Sequence, residues 1–483
     1  MSGSRAWSDQ SARPRRDWLA GILGTLAIVV VGVIAGQQYL SPDKRVLAVA
    51  AALAMIGIAW RIDMVSAIGL LLLALPYPRA NVYGSTNVAL VLLLLIIWLL
   101  RANFGGAARA RRTPLDLPIV GLTIAYIISF YNIEAINLGN GFTCFILMLT
   151  TLATYYLIVN NVRTTRDLER LHVFQAITIA LACLIAVFEL VFPGRSLVPG
   201  WLEFQEKVAE GIEVHNLRVG GPFFDFEQMA DFCAVSTLFV LFLLTRARTT
   251  RRRVAYGALL ILVAFIQFAT VTRGGMIALG IGLVYLVWVL RRRINFVQLT
   301  VATGVTAAMV AGMNFYVAHF TTSGDLIKRL MDPHTLRLKN GMPEGRSGLW
   351  IDAYGRMMEH PLIGHGPYYS LARGIKFWYW PHNVYLYVGN LVGFFGLFFF
   401  LWILWRLWQT SRPITTDLKK SSYAAAYLVF GHVQLLVFMI DQLKIDYLRS
   451  PIYQFQVWVM FAFLIAAAQL ARTEADVVRS ERR

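Results

Sequence analysis

The sequence predicts an all-α, polytopic membrane protein with about 14 transmembrane helices and a long external loop that carries an amphipathic helix. Three observations predict this. Hydrophobic residues make up 57% of the 483 and charged residues only 15%, against about 25% charged in an ordinary soluble domain, and mean hydropathy is +0.58. The apolar residues fall in runs, at approximately 18–40, 46–60, 62–76, 87–100, 116–133, 141–160, 171–193, 226–245, 254–271, 274–290, 296–318, 382–405, 421–441 and 451–471. The loops between those runs alternate in basic character. Every second loop, together with both tails, holds 28 of the 45 Lys and Arg, and basic short loops stay on the cytoplasmic side.

The elements follow in chain order. The run from Trp18 to Leu40 follows Arg13, Arg15 and Arg16 and exceeds the roughly 7–15-residue core of a cleaved signal, so it is expected to be a retained span. The second to fourth runs fall short of the ~20 residues that cross a bilayer unaided. An even count of spans returns the basic tail Arg472–Arg483 to the cytoplasm, with both termini inside. The opposite face then carries the two long polar segments. The chain divides into scaffold helices over 18–193, an external loop at 194–225, helices over 226–318, a long external loop at 319–381 and C-terminal helices over 382–471, all within one membrane domain, 1–483.

Within the long loop, 345–360 reads GRSGLWIDAYGRMMEH. Trp350, Tyr354 and Met357 recur at i, i+4 and i+7, and Asp352, Arg356 and Glu359 recur at the same spacing on another face. That pattern is an amphipathic helix closed by Pro361, placed along the outer surface of a bilayer. The aromatic run Phe377–Pro381 suits the membrane interface.

Composition also excludes function classes. The net charge of +18 sits mostly in inside clusters such as Arg246–Arg253, Arg291–Arg293 and Arg109–Arg112. These orient the chain and touch anionic lipid, so membrane lipid is a partner and nucleic acid is not. Cys144, Cys183 and Cys233 all fall inside spans and are expected as unbridged hydrophobes. No metal-ligand spacing, P-loop or nucleotide fingerprint is present, so no metal and no cofactor is expected.

Chemistry-bearing residues gather at the outer ends of spans from Arg218 onward. Arg218 precedes Gly220-Gly221-Pro222-Phe223-Phe224, and Arg273 stands in Thr272-Arg273-Gly274-Gly275. Both lie outside, against the positive-inside bias, and beside glycines that admit close approach. Their planar guanidinium forks match phosphate oxygens; the competing explanation is a snorkelling arginine at a helix end. Arg346 is a third positive candidate, or a solvated loop residue. His382 opens the twelfth run within Trp380-Pro381-His382-Asn383. A helix N-terminus disfavours positive charge, which suits an imidazole acting as general base; a polar residue bonding the first turn is the alternative. Asp225, Glu227 and Asp231 could orient Arg218, act as an alternative base or form a simple ion pair. His360 and His365 flank a turn and read as structural. Glu189, Gln267, Asn314, His432 and Asp441 are scattered through spans without forming an ion path.

The same residues form an ordered pattern: Arg-x-Gly-Gly-Pro-Phe at 218–223, Thr-Arg-Gly-Gly-Met at 272–276, Gly-Arg-Ser-Gly-Leu-Trp at 345–350 with His-Pro-Leu-Ile-Gly-His-Gly-Pro at 360–367, and Pro-His-Asn-Val-Tyr-Leu at 381–386 before Gly393-Phe-Phe-Gly396. Over roughly 215–400 the chain resembles the O-antigen ligase and polymerase family of bacterial envelope glycosyltransferases. Two departures stand out: Thr272 where many members carry Ser, and Phe224-Asp225-Phe226 in place of a small Asn/Pro-rich turn.

The resemblance implies inverting, metal-independent transfer of a whole glycan at the outer face of the bacterial inner membrane. The donor would be an undecaprenyl diphosphate-linked glycan, and the acceptor a glycan or lipid. It maps diphosphate-binding arginines onto Arg218 and Arg273 and the loop histidine onto His382, with Arg346 a further positive contact. Trp350, Tyr368 and Trp380 would be stacking surfaces for the acceptor. Polymerase and ligase both remain open, because the acceptor surface is a loop and loops vary freely. The alternative from another class is a lipid-linked oligosaccharide flippase or other multi-span transporter, which would be expected to show internal repeats and binding groups near the midplane.

Overall fold

A computed structural model describes residues 63–74, 85–104, 110–192, 219–291 apart from 224 and 271, short pieces at 311, 314–315, 338–339 and 342–343, then 346–367, and 381–481 apart from 416 and 419. The runs expected at 18–40 and 46–60, and nearly all of 296–318, lie outside the described residues, as do Arg218, Tyr368 and Trp380.

The described chain is helical apart from a two-rung antiparallel ladder, Leu338–Lys339 with Met342–Pro343. Its helices are α1 (Met64–Ala74), α2 (Ser85–Phe104), α3 (Asp116–Ser129), α4 (Leu138–Asn161), α5 (Thr165–Val191), α6 (Phe226–Arg246), α7 (Thr250–Ala269), α8 (Arg273–Leu290), α9 (Ser347–Met357), α10 (Val384–Thr410), α11 (Tyr423–Asp441) and α12 (Pro451–Glu481). Eight are long and apolar enough to cross a membrane: α5 to α8, α10, α11, most of α12, and α4 extended back to Ala135. The chain is a multi-pass membrane protein.

Sequence sets the helix starts locally. Thr164 and Asp167 form a reciprocal capping box at α5. Asp225 caps α6 by accepting from the backbone N–H groups of Glu227 and Gln228, and Asn383 caps α10 by accepting from those of Tyr385 and Leu386. Ser422 does the same for α11.

Packing places α12 at the centre. Of its most apolar stretch 94% is buried by other helices, against 28% for α7 and α8, which hydropathy alone does not distinguish. α12 packs on α4, α11 and α10; α6 packs on α7, α11 and α8; and α3 lies along α10.

One span is broken. Gly393 in α10 has φ 66° and ψ −173°, a conformation essentially confined to glycine. In a bilayer the backbone groups freed by such a break must find partners. They find them in the loop 360–366. The N–H groups of Phe394 and Phe395 donate to the carbonyls of Pro361 (2.7 Å) and Leu362 (3.2 Å), and those of His365 and Gly366 donate to the carbonyls of Asn390 (2.8 Å) and Leu391 (3.0 Å). Asn132 donates to the Gly364 carbonyl at 2.7 Å. A side chain at Gly364 (φ 71°) would strike the Leu391 backbone, and one at Gly393 that of Leu362. The His-Pro-Leu-Ile-Gly-His-Gly stretch is therefore a backbone clamp on a broken helix.

The amphipathic helix forms as α9, two or three residues shorter at each end than 345–360. It packs on the first half of α10: Met357 is buried against Gly389, and Asn390 donates to the Ala353 carbonyl at 3.0 Å. Asp352 and Arg356 pair at 3.1 Å along its polar face. Its buried edge is Ala353 and Met357, while Tyr354 is 53% exposed, so the apolar face is rotated from the expected Trp350–Tyr354–Met357 stripe.

Candidate functional site

The starts of α6, α8 and α10 and the end of α11 meet at one end of the bundle, and among the described residues Arg246–Arg253, Arg291 and Arg111 belong to the other end. At that far end Arg246 donates to the Leu418 carbonyl and the Arg111 N–H to Asn160. The site end is built from side chains that the sequence scatters over more than 200 positions.

Glu227, in the first turn of α6, is its hub. One carboxylate oxygen, Oε2, accepts from His382 Nδ1 at 2.8 Å; the other, Oε1, pairs with Arg346 Nη2 at 2.5 Å. The carboxylate is 13% exposed and the Arg346 and His382 side chains about a quarter, so the three form a shallow, half-dry group rather than a solvated surface pair. With Nδ1–H donated to Glu227, Nε2 is the acceptor nitrogen of the neutral ring.

His382 has φ 47°. A left-handed backbone costs a non-glycine residue roughly 1–2 kcal/mol and persists where its surroundings over-determine it. Those surroundings are the Asn383 cap on one side and the Glu227 contact on the other. The cap also corrects the expected start of the span: α10 opens at Val384, and His382 lies just outside it, ahead of the cap.

The turn after α11 holds these parts in register through three consecutive carbonyls. That of Gln442 accepts from the Val384 N–H (3.0 Å), that of Leu443 from Asn383 Nδ2 (3.1 Å) and that of Lys444 from Arg346 Nη1. The turn is itself anchored to α6. Gln442 Nε2 donates to Asp231 Oδ2 at 2.6 Å, and Gln228 Nε2 to the Asp446 carbonyl at 3.2 Å.

Arg273 is the first residue of α8, one position earlier than the expected span, and is half-buried. Thr272 Oγ1 reaches the Phe226 carbonyl at 3.4 Å, which sets the Arg273 backbone beside the residue preceding Glu227. Gly275 packs against Ala230, so the second glycine of the pair is where α8 approaches α6. Of the other arginine motif, Gly220 and Gly221 are described: both donate their N–H to Glu189 Oε2, at 3.2 and 2.9 Å. Glu189 therefore fixes the loop that follows Arg218.

Trp350 is half-buried on α9, its indole nitrogen enclosed. His365 Nε2 donates to the Arg356 carbonyl (2.8 Å), and the ring stands edge-on to His360. Burial holds the His365 imidazole below its ordinary range, consistent with a neutral, structural ring.

Three of the expected residues, Arg273, Arg346 and His382, thus lie at one end of the bundle. Of the readings open for Glu227, the ion pair is the one the described residues show: it grips Arg346 and His382 together. Asp225 is a helix cap, and Asp231 a buried acceptor for Gln442. Lys444 was not singled out by sequence. It sits in a nine-residue link between two spans, and only tertiary structure shows what its backbone and side chain meet.

Fold and site together define a polytopic membrane protein with a charged, partly desolvated site at one mouth of its helix bundle. Residues 257–401 match the O-antigen ligase family model, so the resemblance drawn from the motifs holds over that stretch. It contains Arg273, Arg346 and His382; Glu227 and Lys444 lie outside it. No curated protein matches the chain significantly.

Proposed function

We propose that this protein transfers a glycan en bloc from an undecaprenyl diphosphate-linked donor to a sugar hydroxyl at the outer face of the bacterial inner membrane, with inversion and without a metal. The observation that carries this reading is the Glu227–His382–Arg346 cluster beside the Arg273 helix start, at the end of the bundle opposite the basic loops. The family match over 257–401 supports the reaction class.

The chemistry follows from the geometry. His382 Nε2 takes the proton of the acceptor hydroxyl as its oxygen attacks the anomeric carbon. The bond from that carbon to the diphosphate oxygen breaks on the opposite face, and the electron pair leaves with the diphosphate. Glu227, on Nδ1–H, holds the ring in one tautomer and stabilises the imidazolium as it forms. Arg273 and Arg218 neutralise the charge gathering on the leaving group. Arg346 has two N–H groups committed to Glu227 and the Lys444 carbonyl, and of five donors the remaining three serve the diphosphate. Trp350, Tyr368 and Trp380 would offer stacking faces to the acceptor.

The test is product analysis in a cell that lacks this protein, complemented by wild type or Arg273→Ala. The account expects Arg273→Ala to reach the membrane at normal levels yet form no transfer product. Single lipid-linked repeats without long chains would mark a polymerase, and long chains retained on undecaprenyl diphosphate a ligase. Unchanged product in the variant would overturn the diphosphate clamp, and repeats trapped on the cytoplasmic face would point instead to a flippase.

A further inference from the structure

We infer that Lys444 is a further anion-binding residue of this site, supplying its ammonium to the donor diphosphate alongside Arg273; the inference rests on the reading given above. Lys444 does two separable things. Its backbone carbonyl holds Arg346. Its side chain turns the other way and lies across Gly274, the residue after Arg273: a Cβ at Gly274 would fall on Lys444 Cδ, Cε and Nζ. The glycine of the Thr-Arg-Gly-Gly stretch is therefore a space kept open for this side chain.

The placement is electrostatically costly unless something anionic shares it. An ammonium beside Gly274, in the first turn of α8, meets the positive end of the helix. Asp441, fully buried, binds Lys444 Nζ at 2.5 Å while the lysine itself stays 28% exposed. The carboxylate grips the ammonium from a fully buried position, while part of the lysine side chain stays open to solvent. Asp441 also lies within electrostatic range of Glu227 and Arg346. Among the described residues, Arg273, Arg346 and Lys444 bring positive charge to this mouth, and Glu227, Asp441 and the buried Asp231 are the carboxylates set among them. A lysine ammonium has three rotatable donors, enough to keep Asp441 and still bond phosphate oxygens.

A purely structural lysine, present only to neutralise Asp441, makes a different prediction. Removing it alone strands a buried charge, whereas removing both partners with neutral groups relieves it. The experiment therefore compares wild type, Lys444→Met, Asp441→Asn and the Asp441→Asn/Lys444→Met double variant, purified in detergent. The probes are farnesyl diphosphate and inorganic pyrophosphate, with farnesyl monophosphate for comparison, and the readouts are affinity and melting temperature.

The expected result is that the double variant melts near wild type yet binds both diphosphates about tenfold more weakly, the loss of one charge-assisted contact. Asp441→Asn, which leaves the ammonium in place, should bind them at least as well as wild type. Gly274→Ala, which pushes the lysine aside, should weaken them as the double variant does. Wild-type affinity in the double variant would overturn the role of Lys444 and leave the wider reading standing. Failure of the wild-type protein to bind either diphosphate would overturn the diphosphate-clamp reading itself.

Discussion

Glu227 joins two residues that lie 36 positions apart on the loop and at the next helix, and its removal separates the possible roles of the site. Glu227→Gln keeps the shape and loses the charge, so the His382 imidazolium has no counter-ion and Arg346 loses its partner. General acid–base assistance is typically worth about 10²–10⁴-fold in rate. Glu227→Gln should therefore lower transfer by at least about tenfold at unchanged protein level, measured as product formed per molecule in membranes. Full activity would reduce the carboxylate to a structural tie. The sequence displayed His382, Arg273 and Arg346 because each stands beside a helix start or a glycine pair. It allows an ion pair for Asp225, Glu227 or Asp231 without saying which of them forms it or with what partner, since a carboxylate in the first turn of a helix also has an ordinary explanation in the helix dipole.

Among the elements, hydropathy located the described spans, because a long apolar run in lipid has little choice but to be helical, although α5 starts six residues before the expected 171 and α12 runs ten past the expected 471. Local chemistry then corrected the ends: Asn383 sets the start of α10 two residues past His382, and Thr272 leaves Arg273 inside α8. The resemblance marks Gly393-Phe-Phe-Gly396 as a turn, but not that Gly393 breaks α10 with a positive φ, since a glycine in an apolar run carries no mark of its φ. His360 to Pro367 were read as a structural turn, yet what they hold, the freed backbone of α10, is seen only in three dimensions. Gly393→Ala tests that clamp. A side chain there meets the Leu362 backbone at a φ that costs an L-residue roughly 1–3 kcal/mol. The protein should lose several degrees of melting temperature in detergent; an unchanged melting curve would show that the loop does not lock the helix.

At the scale of the whole molecule, the buried α12 supports a rim of less buried helices, and the site and the basic loops occupy opposite ends. Composition and charge alternation indicated that polarity but could not rank the helices by burial, because a lipid-facing and a protein-facing span are equally apolar. The sidedness is checked with single cysteines in a background lacking Cys144, Cys183 and Cys233. Glu359 and Arg252 are both exposed, on α9's exit and on α7. A membrane-impermeant maleimide should label Glu359→Cys in intact spheroplasts and Arg252→Cys only after permeabilisation. Labelling of both from one side would contradict the proposed topology.

The central claim is that His382, held by Glu227 in a left-handed backbone conformation, acts as the base in glycan transfer. The most direct measurement is glycan product in a cell lacking this protein and expressing His382→Ala at the wild-type level in the membrane. The account predicts a fall of about a hundredfold or more, with lipid-linked donor accumulating on the outer face. Product at the wild-type level would contradict it.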